Sequence, residues 1–302
     1  MTELIETATA AARADSPAAA DPAPAGPAPD ALPLGPQSLV WRYFGDNRMF
    51  LVGPRPGVLE NMLAELGQGV LDHSVFFSDT AARLRRSLPP IFMTAYGADD
   101  DNPGQRVRDF HLDIKGEMPD GSRYHALDPD TYYWAHATFL DQVLYFADTF
   151  VKRLTRAEKE QIYAESKTWY RRYGVSDRAM PADYAGFQAY WDRMLDEVLV
   201  AHKTATYAVG YVTKGFPRPK GVHPAVWRVA SVVFNPVAAF LTTGGLPPRA
   251  RTMLGLPWSA AQERRYQRLA AICRSRPVNW VWDHLPMRVR YNKFARAGFA
   301  RG

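Results

Sequence analysis

The chain has 302 residues, 47% of them hydrophobic and 13% aromatic, enough for a sizeable core, and carries a net charge of +6. One cysteine, Cys273, excludes a disulfide framework and any zinc or iron–sulfur site built on several thiolates, and fits a reducing, cytoplasmic setting. The charge is concentrated at one end: from Leu246 to Gly302, twelve Lys and Arg face only Glu263 and Asp283. Such an end suits nucleic acid, an anionic membrane surface or an anionic cofactor, but no nucleic-acid motif accompanies it and a solvated basic surface is the simpler reading.

In chain order, the N-terminus has no basic stretch before an apolar core and does not read as a secretory signal. Residues up to Pro36 are dominated by Ala, Pro, Asp and Gly. They cannot bury enough apolar surface to offset the entropy of ordering, so a disordered tail is expected over 1–36, with one domain over 37–302. In RPGVLENMLAELGQ, apolar residues at 58, 59, 62, 63 and 66 predict a helix that Gly67 and Gly69 end. A short helix is expected over 79–87.

Asp128-Pro129 reads as an N-cap followed by proline at the first helical position, opening a long helix that runs to Phe150. Thr155 to Glu158 and Ser259 to Gln262 are capping boxes before two further helices. Two more helical stretches lie between them. The longest apolar run, Val229 to Leu241, is broken by Asn235-Pro236 and falls short of the roughly 20 residues needed to span a bilayer, so no transmembrane helix is expected. Strand-like alternation and fixed-period repeats are both missing. The fold class expected is all-α, a single compact domain of about ten helices.

The sequence has no GxGxxG after a strand, no GxxxxGK[ST], no HExxH and no GxSxG. No Glu stands three residues before a histidine, as carboxylate-bridged di-iron bundles require. Two histidines remain as candidates. His136 shares a predicted helical face with Tyr133, Leu140, Val143 and Ala147, which turns its imidazole into the core. There it is either a core histidine bonded to a neighbour, or an iron ligand or distal hydrogen-bond donor. His111, with Val107 and Ile114 on its face and Arg108 one turn earlier, faces inward in the same way. The loop around Pro119-Asp120-Gly121 would fold the second helix back so that both histidines meet one cavity. His73, His125, His202, His223 and His284 lack this combination and read as surface or structural. An inward imidazole, an apolar pocket and nearby cations are what a haem site needs, although many helical proteins offer them.

The segments GVLDHSVFFSDTAARLRRSLPPIFMTAYG, RVRDFHLDIKG and DGSRYHALDPDTYYWAHATFL, in that order, resemble the domain shared by rubber oxygenase (latex clearing protein) and the MpaB-type oxygenases of fungal mycophenolic acid synthesis. The resemblance runs from about Trp41 to Arg290. It implies an all-α fold around haem b and oxidative cleavage of carbon–carbon double bonds in isoprenoid chains.

By the same resemblance His111, in its Arg-x-x-His-x-x-Ile-x-Gly pattern, matches the proximal iron ligand, and Arg83 matches an arginine near the distal side or the propionates. Rubber oxygenase has Arg-x-x-Lys-Thr where this chain has Arg86 and Ser87. A guanidinium stays protonated and is a poor iron ligand, so the distal position is left open, held by water, or taken by His136.

Three functions follow as expectations. The first is a haem b oxygenase acting with dioxygen on an apolar, unsaturated or isoprenoid-like small molecule. In it His111 holds iron, Arg83, Arg86 and Arg108 serve the propionates or the oxygen, and Tyr132, Tyr133 and Trp134 line the substrate cavity. The second is a non-catalytic bis-histidine haem protein. The third is a haem-free helical scaffold whose basic C-terminus, with Trp280, Trp282, Phe294 and Phe299, touches a membrane surface or a partner.

Overall fold

In the computed structural model, residues 30–74, 80–219 and 221–302 are described, with the backbone alone for 80–85. Most of the expected tail lies outside the described residues. The last part does not behave as tail: Asp30 pairs with Lys167 and Arg171, and Leu32 exchanges hydrogen bonds with Ala164 and Thr168.

The described chain is mostly helical, with one two-stranded sheet. The first group of helices is α1 (Leu39–Phe44), α2 (Arg55–Glu60), α3 (Ala64–His73), α4 (Thr80–Tyr96) and α5 (Pro103–Asp109). The hairpin β1 (Lys115–Glu117) and β2 (Arg123–His125) follows, and then α6 (Pro129–Phe146), α7 (Arg156–Arg171), α8 (Tyr184–Arg193), α9 (Lys203–Lys214) and α10 (Pro224–Gly245). The chain closes with α11 (Pro248–Met253), α12 (Ala260–Cys273), α13 (Arg276–His284), α14 (Met287–Arg290) and α15 (Lys293–Arg301). The central element is α6, on which α1, α2 and α7 pack. Its buried Tyr133, Trp134, Leu140 and Phe146 form the middle of the core.

The local start signals act as expected. Asp128 accepts from the backbone N–H of Asp130 at 3.0 Å, while Thr155 with Glu158 and Ser259 with Gln262 bond reciprocally. Buried Glu165 of α7 accepts from the N–H groups of Leu39 and Val40 at 3.0 and 2.7 Å, satisfying the first turn of α1 from across the core.

Four expectations are corrected. The first predicted helix is two, α2 and α3, broken at 61–63, and Gly67 and Gly69 lie inside α3 rather than ending it. A Cβ at Gly67 would overlap the His202 imidazole, so that glycine serves close approach of α9 rather than termination. The short helix expected over 79–87 extends as α4 through Pro89 and Pro90 to Tyr96, despite two lost backbone donors. The loop around Pro119 is the β hairpin, in register Lys115 with His125 and Glu117 with Arg123. The run Val229–Leu241 belongs to the continuous helix α10, among the described residues the one long and apolar enough to cross a membrane by length and composition.

Gly104 of α5 fixes where the candidate histidine region sits. A Cβ there would overlap the Arg172 carbonyl at the end of α7, and backbone yields poorly. Gly104→Ala is therefore expected to cost about 1–3 kcal/mol, read from the midpoint of urea denaturation. Gly57→Ala, on an open face of α2, should be neutral or stabilising by up to about 1 kcal/mol.

Candidate functional site

His111 does not sit on a helix, as its spacing suggested, but in the turn that follows α5. The Val107 carbonyl lies 2.8 Å from its Nδ1. A carbonyl can only accept, so Nδ1 carries the proton and the lone pair of the ring is on Nε2. That tautomer is the one a metal-binding histidine needs, with its outer nitrogen anchored to the backbone. The ring is half-buried and meets Tyr132 edge-on at 5.8 Å. Tyr132 is buried, its hydroxyl has no hydrogen-bond partner among the described residues, and burial pushes its pKa well up, so it stays a neutral phenol. On either side of His111, Phe110 and Leu112 are 66% and 50% exposed, a concentration of uncovered apolar surface beside an imidazole.

Arg108 is half-buried and bonds its neighbour Asp109 at 2.7 Å, near enough to Tyr132 for its charge to act on the phenol. Arg86 is exposed and Ser87 half-buried on α4, which packs on α5. The Arg83 side chain lies outside the described residues. The structure thus brings His111, Arg108 and Tyr132 together.

It does not bring His136 to the same space. Ring contacts run from His111 to Tyr132, from Tyr132 to Tyr173 at 5.3 Å, and from Tyr173 to His136 at 6.0 Å, so tyrosines link two imidazoles that do not touch. His136 is 2% exposed and packed between Trp169 and Tyr170 at 5.0 and 5.1 Å. Neither of its nitrogens reaches hydrogen-bond geometry with any of the described residues. Burial drags its pKa from the usual 6.5 to about 3, weakly opposed by the Ser166 backbone, and no charged group among its ring neighbours counters this.

A histidine held neutral in the fold but free to protonate in the unfolded chain makes stability fall with pH. The unfolded state binds the extra proton between about pH 6.5 and about 3, so stability is complete above this window and is lost going down through it. The expected loss from pH 7.5 to 5 is about 2 kcal/mol, seen as a lower urea midpoint. His136→Phe should flatten that dependence. An unchanged pH slope in the variant would refute the assignment.

Tyr132, Tyr133 and Trp134, expected to line a substrate cavity, are buried. They are core residues, and Trp134 donates its indole N–H to the Leu59 carbonyl at 3.0 Å. A cavity of about 840 Å³ lies between the β hairpin, the start of α6 and α8, lined by Lys115, Arg123, Asp128, Tyr190, Arg193 and Met194 among others, so its walls mix charged and apolar groups. Neither candidate histidine lines it.

The remaining histidines serve structure. His202 and His223 cap α9 and α10, His284 bonds the Trp280 carbonyl, and His73 and His125 bond the carbonyls of Lys115 and Leu112 around the hairpin. Sequence reasoning also missed the buried charged pair of Arg55 with Asp141, at 2.6 Å. Nothing in the sequence links two residues so far apart.

Over residues 41–275 the chain matches the family described as "ER-bound oxygenase mpaB/B'/Rubber oxygenase, catalytic domain". It is 24% identical, over 223 residues, to an uncharacterized protein of Mycobacterium bovis, the match spanning 72% of this chain and 84% of that protein. An uncharacterized protein of Mycobacterium tuberculosis matches to the same extent. No solved structure matches the chain. With most of its length matched by one family, the all-α chain belongs to the mpaB/rubber oxygenase catalytic-domain family and carries the frame of an oxygenase-type enzyme.

Proposed function

We propose that the chain is a haem b-dependent oxygenase acting with dioxygen on an apolar, unsaturated small molecule, with His111 as the single protein ligand to iron. The carrying observation is the Nδ1 contact of His111 with the Val107 carbonyl, which assigns the ring the tautomer a ligand uses. The residues fit the group. The buried Tyr132 hydroxyl lacks a partner among the described residues, and Phe110 and Leu112 leave apolar surface uncovered where a porphyrin face would lie. Among the described residues no three His, Cys, Asp or Glu are grouped to hold a metal on their own, so one imidazole plus a macrocycle is the donor set that suits this corner.

Haem bound there would supply a redox-active iron for attack of dioxygen on a double bond. The chain does the rest. Val107 holds the Nδ1 proton and fixes the plane of the imidazole. Arg108 would hold a propionate in place of its exposed partner Asp109 at little cost, since surface pairs contribute about 0–1 kcal/mol. Arg83 and Arg86 on α4 are the other cations suited to propionates or to charge developing on oxygen, and Ser87 can donate a hydrogen bond there. Apolar Phe110 and Leu112 exclude water and favour an apolar substrate.

The bis-histidine alternative is weaker, because His136 is separated from His111 by the tyrosine contacts. The test is the absorption spectrum of purified protein, oxidised and dithionite-reduced, before and after added haem. A haem-free chain that takes up none would sink the proposal. Low-spin bands that turn high-spin in His136→Ala would restore the two-histidine reading.

A further inference from the structure

The helices α9 and α10 form a hairpin that leaves the body of the protein. From Gly210 to Phe240 none of the described residues is buried, whereas Leu241–Gly245 at the end of α10 are anchored in the core. The hairpin holds itself together on its inner side. Tyr207, Tyr211, Phe216, Phe234 and Trp227 contact one another in succession at 5.5–5.7 Å, and the Phe216 N–H donates to the Asn235 side chain at 3.1 Å. Val226, Val229, Val233 and Val237 take no part in that packing. Their spacing of three and four residues sets them on one face, and Val229 and Val233 are 73% and 68% exposed.

The charge around this face has one sign. No acidic residue stands between Glu197 and Glu263, while Lys214, Arg218 and Arg228 lie exposed on the hairpin. A second copy docking face to face would set these cations against themselves with no acid of the hairpin to answer them. A bilayer crossing is disfavoured, although α10 as a whole has the length, because Leu241–Gly245 are held in the core. The 17 exposed or half-buried residues Pro224 to Phe240 span about 26 Å and include Arg228, short of the roughly 30 Å hydrocarbon core. An apolar stripe rimmed by cations, on a helix whose end is anchored in the core, suits the interface of an anionic membrane.

We propose that the α9–α10 hairpin docks the protein on a bilayer containing anionic lipids, by shallow insertion of Val226, Val229, Val233 and Val237 with Lys214, Arg218 and Arg228 at the headgroups. This is independent of haem binding. The hairpin is better suited than the basic C-terminus, where Asp283 already pairs with Arg290.

The test is flotation of the full chain with vesicles of phosphatidylcholine alone or mixed three to one with phosphatidylserine. Wild type should float with the mixed vesicles and fall away in high salt. Val229→Glu with Val233→Glu should lower the partition coefficient more than about a hundredfold. Lys214→Gln with Arg218→Gln and Arg228→Gln should lower it on the order of a hundredfold, about fivefold for each charge. All these sites are exposed, so circular dichroism should report unchanged helix content. Three results would overturn the proposal: no flotation of wild type, flotation that survives the double Glu variant, or flotation lost instead with Trp280→Ala and Arg288→Gln. A dimer in light scattering that the Glu substitutions abolish, without vesicle binding, would assign the stripe to a second copy.

Discussion

His111→Ala is expected to lower haem affinity on the order of 100-fold or more and to abolish haem-dependent oxygen consumption, with the fold intact. Removing only the outer partner of a metal-bound histidine costs about 10–100-fold, and loss of the ligand itself should exceed that. The fold should survive because the ring is half-buried and lies in a turn. A spectral titration with haem measures the affinity, and circular dichroism with a urea midpoint checks folding. Added imidazole, entering the space the side chain vacates, should restore part of the absorption band. His136→Ala is the contrast. It opens a hole between Trp169 and Tyr170 and should cost a few kcal/mol of stability while leaving the haem bands unchanged. Equal haem binding by wild type and His111→Ala would refute the ligand assignment.

The contrast between these two histidines follows the division between what is local and what is not. The inward aim of His136 was legible, because a helical face is set by residues three and four apart, and Asp128 and Pro129 announce the helix that carries it. Its surroundings were not, because Trp169, Tyr170 and Tyr173 come from α7 and just beyond. The helical register of His111 failed for a related reason. Its helix ends at Asp109, and the chain turns to enter a β hairpin too short for alternation to show.

Gly67 looked like a stop signal, since glycine usually is one, and its purpose is set by His202, 135 positions later. Asn235-Pro236 looked like a break in an apolar run, but Pro236 removes a single donor from α10, and Asn235 spends its side chain on the Phe216 N–H. Capping boxes were read correctly because every atom they use lies within four residues.

Breaking the Arg55–Asp141 pair should be the most damaging substitution outside the site, at about 3–5 kcal/mol. The pair lies on α2 and α6 with side chains only 5% and 14% exposed, so water cannot take over for a lost partner. Arg55 also donates to the Gly245 carbonyl and covers the Tyr145 ring at 4.1 Å, while the Tyr145 hydroxyl bonds that of Tyr266 at 2.9 Å. One guanidinium thereby ties α2, α6 and the anchored end of α10 together.

Asp141→Ala leaves that guanidinium buried without its countercharge, and the loss should lower the thermal midpoint by about 6–20 °C. Arg55→Met combined with Asp141→Leu removes both charges and should recover much of the loss, because the pair's attraction largely offsets the cost of burying two ions. If the double variant is as unstable as the single one, the contribution lies in the bond to Gly245 and the stacking on Tyr145 rather than in the charge pair. Since Gly245 closes α10, Asp141→Ala should also raise amide exchange at Leu241–Gly245 more than at the centre of α6, placing the base of the α9–α10 hairpin under the control of a contact buried in the core.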